Sequence, residues 1–158
     1  MPARRTLIAV ALFLVLAPAA RAQSRSTSEV RRQLSEYFAA WRALDVDRAG
    51  ALYAHDADIL YFDGAPLKYS GWAEYARGAR AGFASLKAVD IGPSEDMVIH
   101  RNGGVAWSTG TFWMTVVPKA GESTKLHVRS TIIWERRGSR WLVAHEHLSV
   151  PFQPPPKK

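Results

Sequence analysis

The last long stretch of the chain constrains the fold most. Residues 125–152 read KLHVRSTIIWERRGSRWLVAHEHLSVPF, and two runs rich in β-branched and aromatic residues flank the segment Arg136-Arg137-Gly138. Such runs on either side of a glycine-containing turn predict a β-hairpin. A three-residue loop over this segment gives Gly138 the left-handed conformation that glycine adopts easily, and it pairs Glu135 with Ser139. We therefore expect a long antiparallel hairpin near the carboxyl end.

This register assigns the side chains of the hairpin to two faces. One face is apolar apart from two polar residues and is expected to cover the helices; it carries Leu126, Val128, Ser130, Ile132, Trp134, Leu142, Ala144, Glu146 and Leu148. The opposite face is amphipathic; it carries His127, Arg129, Thr131, Ile133, Trp141, Val143, His145 and His147. Because Trp141, Val143 and Ile133 would expose apolar surface in a monomer, we expect a homodimer through this outer sheet face.

The first half of the chain predicts three helices. Apolar residues recur at helical spacing from Val30 to Leu44, after a Ser26-x-x-Glu29 segment with the spacing of a capping box. A short second helix is expected over residues 47–54, and a third is expected after Ser70. A long antiparallel meander follows. The pattern predicts an α+β fold in which three N-terminal helices pack in the concave face of a curved, mostly antiparallel sheet.

The amino terminus has the pattern of a secretory signal peptide. Arg4-Arg5 is basic, residues 7–16 are uninterruptedly apolar, and Ala20-Arg21-Ala22 has the small-x-small pattern of a cleavage site. The apolar run is too short to span a bilayer as a mature helix. We expect residues 1–22 to be removed, and the mature protein to be secreted or periplasmic without further membrane contact.

Cleavage after residue 22 of 158 leaves 136 residues, enough for one domain with a single core. We expect a flexible lead at 23–27, the domain at 28–152 and a Pro/Lys-rich tail at 153–158. Removing the three leader arginines lowers the formal charge from +7 to +4, and the remaining basic residues form no stripe interleaved with aromatics. Nucleic acid is therefore not an expected partner. The chain has no cysteine, which excludes disulfides and thiolate catalysis.

Three motifs together resemble the SnoaL-like group of the nuclear transport factor 2-like superfamily. They are Tyr53-Ala54-x-Asp56-Ala57, Gly71 before the third helix, and the ending Trp141-x-Val143-x-His145-x-His147-x-Ser149. The resemblance covers about residues 30–151. It implies a cone in which the sheet curls around the helices and encloses a pocket, with an outer sheet face that often pairs subunits. The superfamily includes ketosteroid isomerases, scytalone dehydratase, polyketide cyclases and a kinase association domain, so the resemblance implies a fold and leaves the chemistry open.

The ketosteroid isomerase pattern is only partly present. Those enzymes place an oxyanion-stabilising Tyr on the first helix, and the resemblance puts Tyr37 at that position. Their general base is an Asp on the first strand, and this chain has Tyr61 at the equivalent position. Asp58 and Asp63 lie nearby, but the alignment would have to shift along the sequence to place either of them there. A neutral tyrosine, with a pKa of about 10, is a poor proton acceptor. The resemblance therefore argues against steroid isomerisation of that type.

Glu146 is the candidate acid–base residue, with Tyr37 and Tyr61 as its catalytic partners. Apolar neighbours would raise the pKa of a carboxyl group in the cone, which suits it to proton transfer near neutral pH. Tyrosine hydroxyls could hold a developing enolate oxygen. Alternatively, Glu146 lies near the cone mouth and pairs with a surface cation. The residues expected to contact the ligand are Trp41, Tyr75, Phe112, Ile132, Trp134 and Leu148.

Two other functions compete with this one. In the predicted register His127 lies opposite His147, with His145 two residues along, and three imidazoles can form an open metal site for hydrolytic or lyase chemistry. The domain could also be a dimerisation module without chemistry. We favour an exported domain that binds a small, partly apolar molecule in its cone, with isomerase-, dehydratase- or cyclase-like chemistry left open and no cofactor or resident metal expected.

Overall fold

The computed structural model of the chain describes residues 16–64 and 66–152, and the side chains from residue 27 onward. Its helices are α1 (Leu16–Arg42), α2 (Val46–Gly50) and α3 (Gly71–Phe83). Its strands are β1 (Leu60–Phe62), β2 (Tyr69–Ser70), β3 (Leu86–Pro93), β4 (Val98–Asn102), β5 (Val105–Pro118), β6 (Thr124–Arg137) and β7 (Arg140–Ser149). None of the helices in these ranges is long and apolar enough to cross a membrane.

The predicted apolar stripe of α1 faces the core, where Val30, Leu34, Phe38 and Trp41 are buried. The helix begins at Leu16, well before the start that the capping-box spacing predicts, and it runs without interruption to Arg42. The lead predicted to be flexible, residues 23–27, is therefore helical. Alanines at positions 17, 19, 20 and 22, just before this segment, favour the helix. Of the predicted leader, residues 1–15 lie outside the described residues, as does the predicted tail at 153–158.

Local interactions fix the ends of the other helices. The Asp45 side chain caps α2 by accepting a hydrogen bond from the Arg48 backbone N–H at 2.9 Å. Such a cap satisfies one of the free N–H groups of the first helical turn. The α3 helix begins at Gly71, whose φ of 71° lies in the left-handed region that favours glycine. This residue connects the short β2 strand directly to α3.

The strands form one sheet in the order β2-β1-β7-β6-β5-β3, and β4 also pairs with β5. Only the β1–β7 pairing is parallel among the described strands, so the sheet is mostly antiparallel. It is curved and open, and α1 lies across its concave face against β3 and β4. The predicted α+β cone fold is confirmed.

The register of the β6–β7 hairpin differs from the prediction near its turn. Arg137 pairs with Arg140 across a two-residue loop, in which Gly138 has a φ of 63°. A β-bulge follows, because Trp134 pairs with Val143 whereas Ile133 pairs with His145. The predicted Glu135–Ser139 pair is therefore wrong. Trp141 and Val143, predicted on the outer face, are fully buried, since the two-residue loop reverses the facing of the β7 residues between the turn and the bulge.

Candidate functional site

Glu146 lies at the centre of the cone. On β7 it is flanked by Ile132 of β6 and Tyr61 of β1, and its side chain is fully buried. Its carboxyl group accepts hydrogen bonds from the hydroxyls of Tyr37 at 3.1 Å, Tyr53 at 2.6 Å and Tyr75. A buried carboxyl group is costly unless it is hydrogen-bonded, and these three donors satisfy it. The alternative of Glu146 at the cone mouth, paired with a surface cation, is therefore wrong.

Each of the three donors comes from a different element. Tyr37 projects from α1, Tyr75 projects from α3, and Tyr53 follows α2. The segment of Tyr53 is tied to β7 because the Ala54 N–H donates to the carbonyl of Val143 at 2.9 Å. The Tyr53 hydroxyl also accepts a hydrogen bond from the indole N–H of Trp41 at 3.3 Å. The three helices are thus joined to the sheet through one carboxyl group.

Asp63 is a second carboxyl group close to this cluster. It follows β1 directly, and the Gly64 backbone N–H donates to its Oδ1 at 2.6 Å. Its Oδ2 lies 3.3 Å from the hydroxyl of Tyr75, the same hydroxyl that donates to Glu146. A hydroxyl has one proton, so it can donate to only one carboxyl group at a time. Tyr75 therefore connects the two carboxyl groups.

Burial sets the protonation states of the cluster. Burial and then the charge of Asp63 raise the pKa of Glu146, the hydrogen bonds from the three tyrosines oppose the rise, and the net pKa is about 7. Burial also raises the pKa of Asp63. The pKa values of Tyr37, Tyr53 and Tyr75 lie well above 10, chiefly through burial and then through the charge of Glu146. The tyrosines are neutral donors, and Glu146 can gain or lose a proton near neutral pH.

A cavity of about 410 Å³ opens beside the cluster, between α3 and the concave face of the sheet. Tyr37, Tyr75 and Asp63 contribute its polar surface at one end, while Glu146 is not among its lining residues and lies behind the two tyrosines. Most of the wall is apolar; it includes Trp41, Phe83, Leu86, Val89, Ile91, Phe112, Met114, Val116, Leu126, Val128 and Leu148. The size and lining suit a small, mostly apolar molecule.

The structure brings together part of the predicted site. Tyr37 contacts Glu146, but the Tyr61 hydroxyl donates to the carbonyl of Ala54 at 2.9 Å and has no hydrogen bond to Glu146. Four of the six predicted ligand contacts line the cavity: Trp41, Tyr75, Phe112 and Leu148. The other two, Ile132 and Trp134, are core residues, and the indole N–H of Trp134 donates to the Ser108 hydroxyl at 3.1 Å.

Sequence reasoning missed the roles of Tyr53 and Asp63 in this cluster. Tyr53 belongs to the motif that carried the family resemblance, but no contact with Glu146 was predicted for it. Asp63 stood beside the first strand, two residues beyond Tyr61. Successive residues of a strand alternate between faces, so Tyr61 and Asp63 share a face. That periodicity was the signal that could have found Asp63.

The three histidines do not converge. His127 pairs with Trp113 of β5 and stacks on its indole at 4.2 Å. His147 pairs with Thr131, four residues along β6 from His127, and a ring nitrogen of His145 lies 2.7 Å from the carbonyl oxygen of Leu60. No group of three or more His, Cys, Asp or Glu residues suited to a metal occurs in the described part of the chain. The predicted pairing of His127 with His147, on which the metal alternative depended, is wrong.

Solved structures support the same fold. An NTF2-like protein of unknown function from Pseudomonas putida is 26% identical, with a TM-score of 0.71 over 85% of this chain and 93% of that chain. A nuclear transport factor 2-like superfamily protein from Salmonella enterica is 15% identical, with a TM-score of 0.71 over 85% and 94%. A protein from Novosphingobium aromaticivorans provisionally named a scytalone dehydratase is 10% identical, with a TM-score of 0.75 over 84% and 89%.

A search of curated proteins finds no match to this chain. The family comparison identifies the chain instead, because the SnoaL-like domain matches residues 30–153. These residues include every strand that the structure describes and all the residues of the buried cluster around Glu146. The chain belongs to the SnoaL-like domain family, within the nuclear transport factor 2-like fold.

Proposed function

We propose that the protein binds a small, largely apolar molecule in its cone and moves protons on that molecule by acid–base catalysis. The observation that carries this proposal is the fully buried Glu146, held by three tyrosine hydroxyls directly behind an apolar cavity. A carboxyl group whose pKa is raised to about 7 is suited to donating and accepting protons at neutral pH. The reaction class is an isomerisation or a dehydration.

The roles of the two carboxyl groups differ by position. Asp63 lines the cavity and is the group that a ligand touches. Glu146 lies behind Tyr37 and Tyr75, so it exchanges protons with the ligand through a tyrosine hydroxyl. In the ionised state of Glu146 the tyrosines donate to it. When Glu146 is protonated, Tyr37 is released to donate to the carbonyl oxygen of the ligand, where negative charge develops as the Asp63 carboxylate takes the proton from the adjacent carbon.

The structural comparison is compatible with a dehydration. The Novosphingobium aromaticivorans protein provisionally named a scytalone dehydratase has a TM-score of 0.75 to this chain, but at 10% identity this likeness concerns the fold alone. The residues of this chain support the chemistry instead. Burying a carboxyl group brings little stability compared with an apolar side chain, so the burial of Glu146 beside an open cavity, with a second carboxyl group 3.3 Å from a shared hydroxyl, favours a chemical role.

The test is deuterium exchange into a neutral bicyclic ketone, β-tetralone, whose hydrogens next to the carbonyl are acidic. The wild-type protein in D₂O should accelerate incorporation over buffer alone, as followed by proton NMR. Asp63→Asn and Glu146→Gln should each reduce the acceleration at least tenfold, since general acid–base groups contribute on the order of 10²-fold or more. Asp58→Asn, which changes an exposed carboxyl group nearby, is the matched control and should leave the rate unchanged.

Nile red, a neutral apolar dye, separates binding from catalysis. One dye should bind per chain in a saturable manner, and Asp63→Asn should retain this binding. Such a result would support the cavity as a ligand site even if the wild-type protein does not catalyse deuterium exchange into β-tetralone. If neither molecule binds to the folded protein, the proposal is wrong, and the assembly function then takes its place.

An outer sheet face with exposed aromatic surface favours that second function. Trp113 is 49% exposed, and Lys125 lies over its ring with Nζ 4.6 Å from the centroid. We propose that this face pairs two copies of the chain, whether or not the cone is catalytic. Export through the predicted signal peptide is proposed on the sequence pattern alone.

A further inference from the structure

The residues that line the cavity follow one strand and one helix for several residues each. Along β5 its wall is formed by Phe112, Met114 and Val116, alternate residues of one strand, which span about 14 Å at the usual rise of a strand. On the opposite side it follows α3 from Tyr75 to Phe83, which spans about 12 Å. The two walls run along the same trough, so the cavity matches an elongated molecule.

The polar groups of the cluster lie at one end of this trough. Tyr75, at the start of α3, and Tyr37 meet Asp63 there. The far end is lined by the half-buried apolar side chains of Leu86 and Leu126. A ligand that fills the trough therefore has an apolar body and places a single polar end group beside Asp63.

The polar end offers no compensation for a negative charge. Among the described residues that line the cavity there is no Lys, Arg or His. Neither Asp63 nor Glu146 has a cation among its hydrogen-bond or ion-pair partners in this part of the chain; Arg42, Arg48, Arg80 and Arg137 pair with other carboxyl groups. An anionic end group would meet two carboxyl groups in a region of low dielectric constant, where like charges repel strongly.

The polar end has free hydrogen-bond acceptors, whereas its tyrosine donors are occupied. The hydroxyls of Tyr37, Tyr53 and Tyr75 already donate to Glu146. Oδ1 of Asp63 accepts from the Gly64 N–H, whereas Oδ2 lies 3.3 Å from the Tyr75 hydroxyl, whose proton is donated to Glu146, so Oδ2 is left to accept from a ligand. A ligand group that donates a hydrogen bond is therefore matched to Asp63, whereas a group that only accepts, such as a ketone, gains a donor only when Glu146 is protonated and Tyr37 is released.

We infer that the cone selects an elongated apolar molecule that carries no negative charge and ends in a hydroxyl group, which donates to Asp63. This inference rests on the proposed function, because it specifies the ligand of the same cavity. It excludes fatty acids and other carboxylates as ligands of the cone, although an apolar trough alone would accept their chains.

Three para-substituted biphenyls of the same shape test the inference by calorimetric titration of the full chain at neutral pH. They are the hydroxyl compound, its methyl ether and the carboxylate. The hydroxyl compound should bind about tenfold more tightly than the ether, since a hydrogen bond to a charged group contributes on that order. The carboxylate should bind weaker still. In Asp63→Asn the preference for the hydroxyl over the carboxylate should fall about tenfold, whereas Asp58→Asn should retain it.

The outcomes separate the two proposals. Equal binding of the three compounds, or tightest binding of the carboxylate, would overturn the ligand class and leave the cavity as a binding site. Unchanged selectivity in Asp63→Asn would overturn the role of Asp63. If none of the compounds binds to the folded protein, both the ligand class and the proposed function are wrong.

Discussion

Asp63 and Glu146 lie on adjacent strand segments and are joined by one tyrosine. The Tyr75 hydroxyl donates to an oxygen of Glu146 and also lies 3.3 Å from Oδ2 of Asp63. Because it has one proton to donate, the pair is best satisfied when the two carboxyl groups hold one further proton between them. Burial and then the negative charge of Asp63 raise the pKa of Glu146, which favours this shared proton. The cavity thus ends in a carboxyl pair poised to exchange a proton.

The stability of the protein should fall as pH rises from about 4.5 to about 7. The folded pKa of Glu146 is about 7, above its ordinary value of 4.5, so in this window the folded state binds more protons than the unfolded state. Ionising Glu146 in the folded state then costs at most about 3 kcal/mol. The raised pKa of Asp63 acts in the same direction. Urea unfolding at pH 5 and pH 8 measures the difference.

Glu146→Gln is the variant that isolates this effect, because the amide keeps an acceptor for the tyrosines but does not titrate. Its free energy of unfolding should vary less with pH than that of the wild type, with a residual slope from Asp63. Tyr37, Tyr53, Tyr61 and Tyr75, which also face Glu146, stay neutral throughout this range. A slope identical to that of the wild type would show that Glu146 titrates normally in the folded protein.

Removing the Tyr75 hydroxyl should raise the pKa of Glu146 further. Tyr75→Phe deletes one donor to the ionised carboxylate, and such a bond stabilises it by about 1.5–3 kcal/mol, or roughly tenfold or more in proton affinity. Tyr61→Phe is the matched control, since the Tyr61 hydroxyl donates to the Ala54 carbonyl. Carbon NMR of labelled glutamate side chains distinguishes the two variants. Equal shifts in both would contradict the assigned hydrogen bonds.

Gly82 offers a way to narrow the cavity without disturbing the core. It lines the cavity from α3, and a Cβ built there meets no atom within 4 Å. Gly82→Leu should therefore weaken the binding of para-hydroxybiphenyl several-fold. Gly82→Ala should leave binding nearly unchanged and stabilise the helix by about 0.5–1 kcal/mol. Thermal unfolding of both variants checks that any loss of affinity is not a loss of folding.

The outer sheet face should mediate self-association. Trp113→Glu places a charge at an exposed aromatic position and should shift the molecular mass from dimer to monomer in analytical ultracentrifugation. Leu67→Glu changes a more exposed apolar side chain on the loop between β1 and β2 and serves as the control. A wild-type protein that sediments as a monomer at all concentrations would contradict the proposed dimer.

The periodicity of the sequence was enough for the fold and for the inward direction of Glu146, but the latter prediction succeeded through two compensating errors. The loop has two residues instead of three, which reverses the facing of β7 beside the turn, so Trp141 and Val143 point inward. The bulge before His145 reverses it again and returns Glu146 to the predicted face. The residue left unpaired at this bulge is Ala144. Since a glycine is the usual sequence signal of a bulge and none occurs here, the bulge could not be predicted from the local sequence.

The partners of Glu146 were harder to predict, since they depend on how helices settle on the sheet. The stripe of α1 correctly placed Tyr37 in the core, but helical spacing does not specify where a hydroxyl ends. Tyr53 reaches Glu146 only because the segment after α2 forms a parallel bridge to Val143. Ile132 and Trp134 share a face with Glu146, yet helix packing leaves them in the solid core and opens the cavity farther along β6, at Val128 and Leu126.

The most direct test of the account is to follow the carboxyl carbons of Asp63 and Glu146 by NMR as a function of pH, with and without bound para-hydroxybiphenyl. The account predicts that Glu146 titrates near pH 7 in the free protein, and that the ligand perturbs the titrations of both carboxyl groups. If both groups titrate at ordinary values, or if the ligand binds without altering either titration, then the carboxyl pair is not part of the functional site.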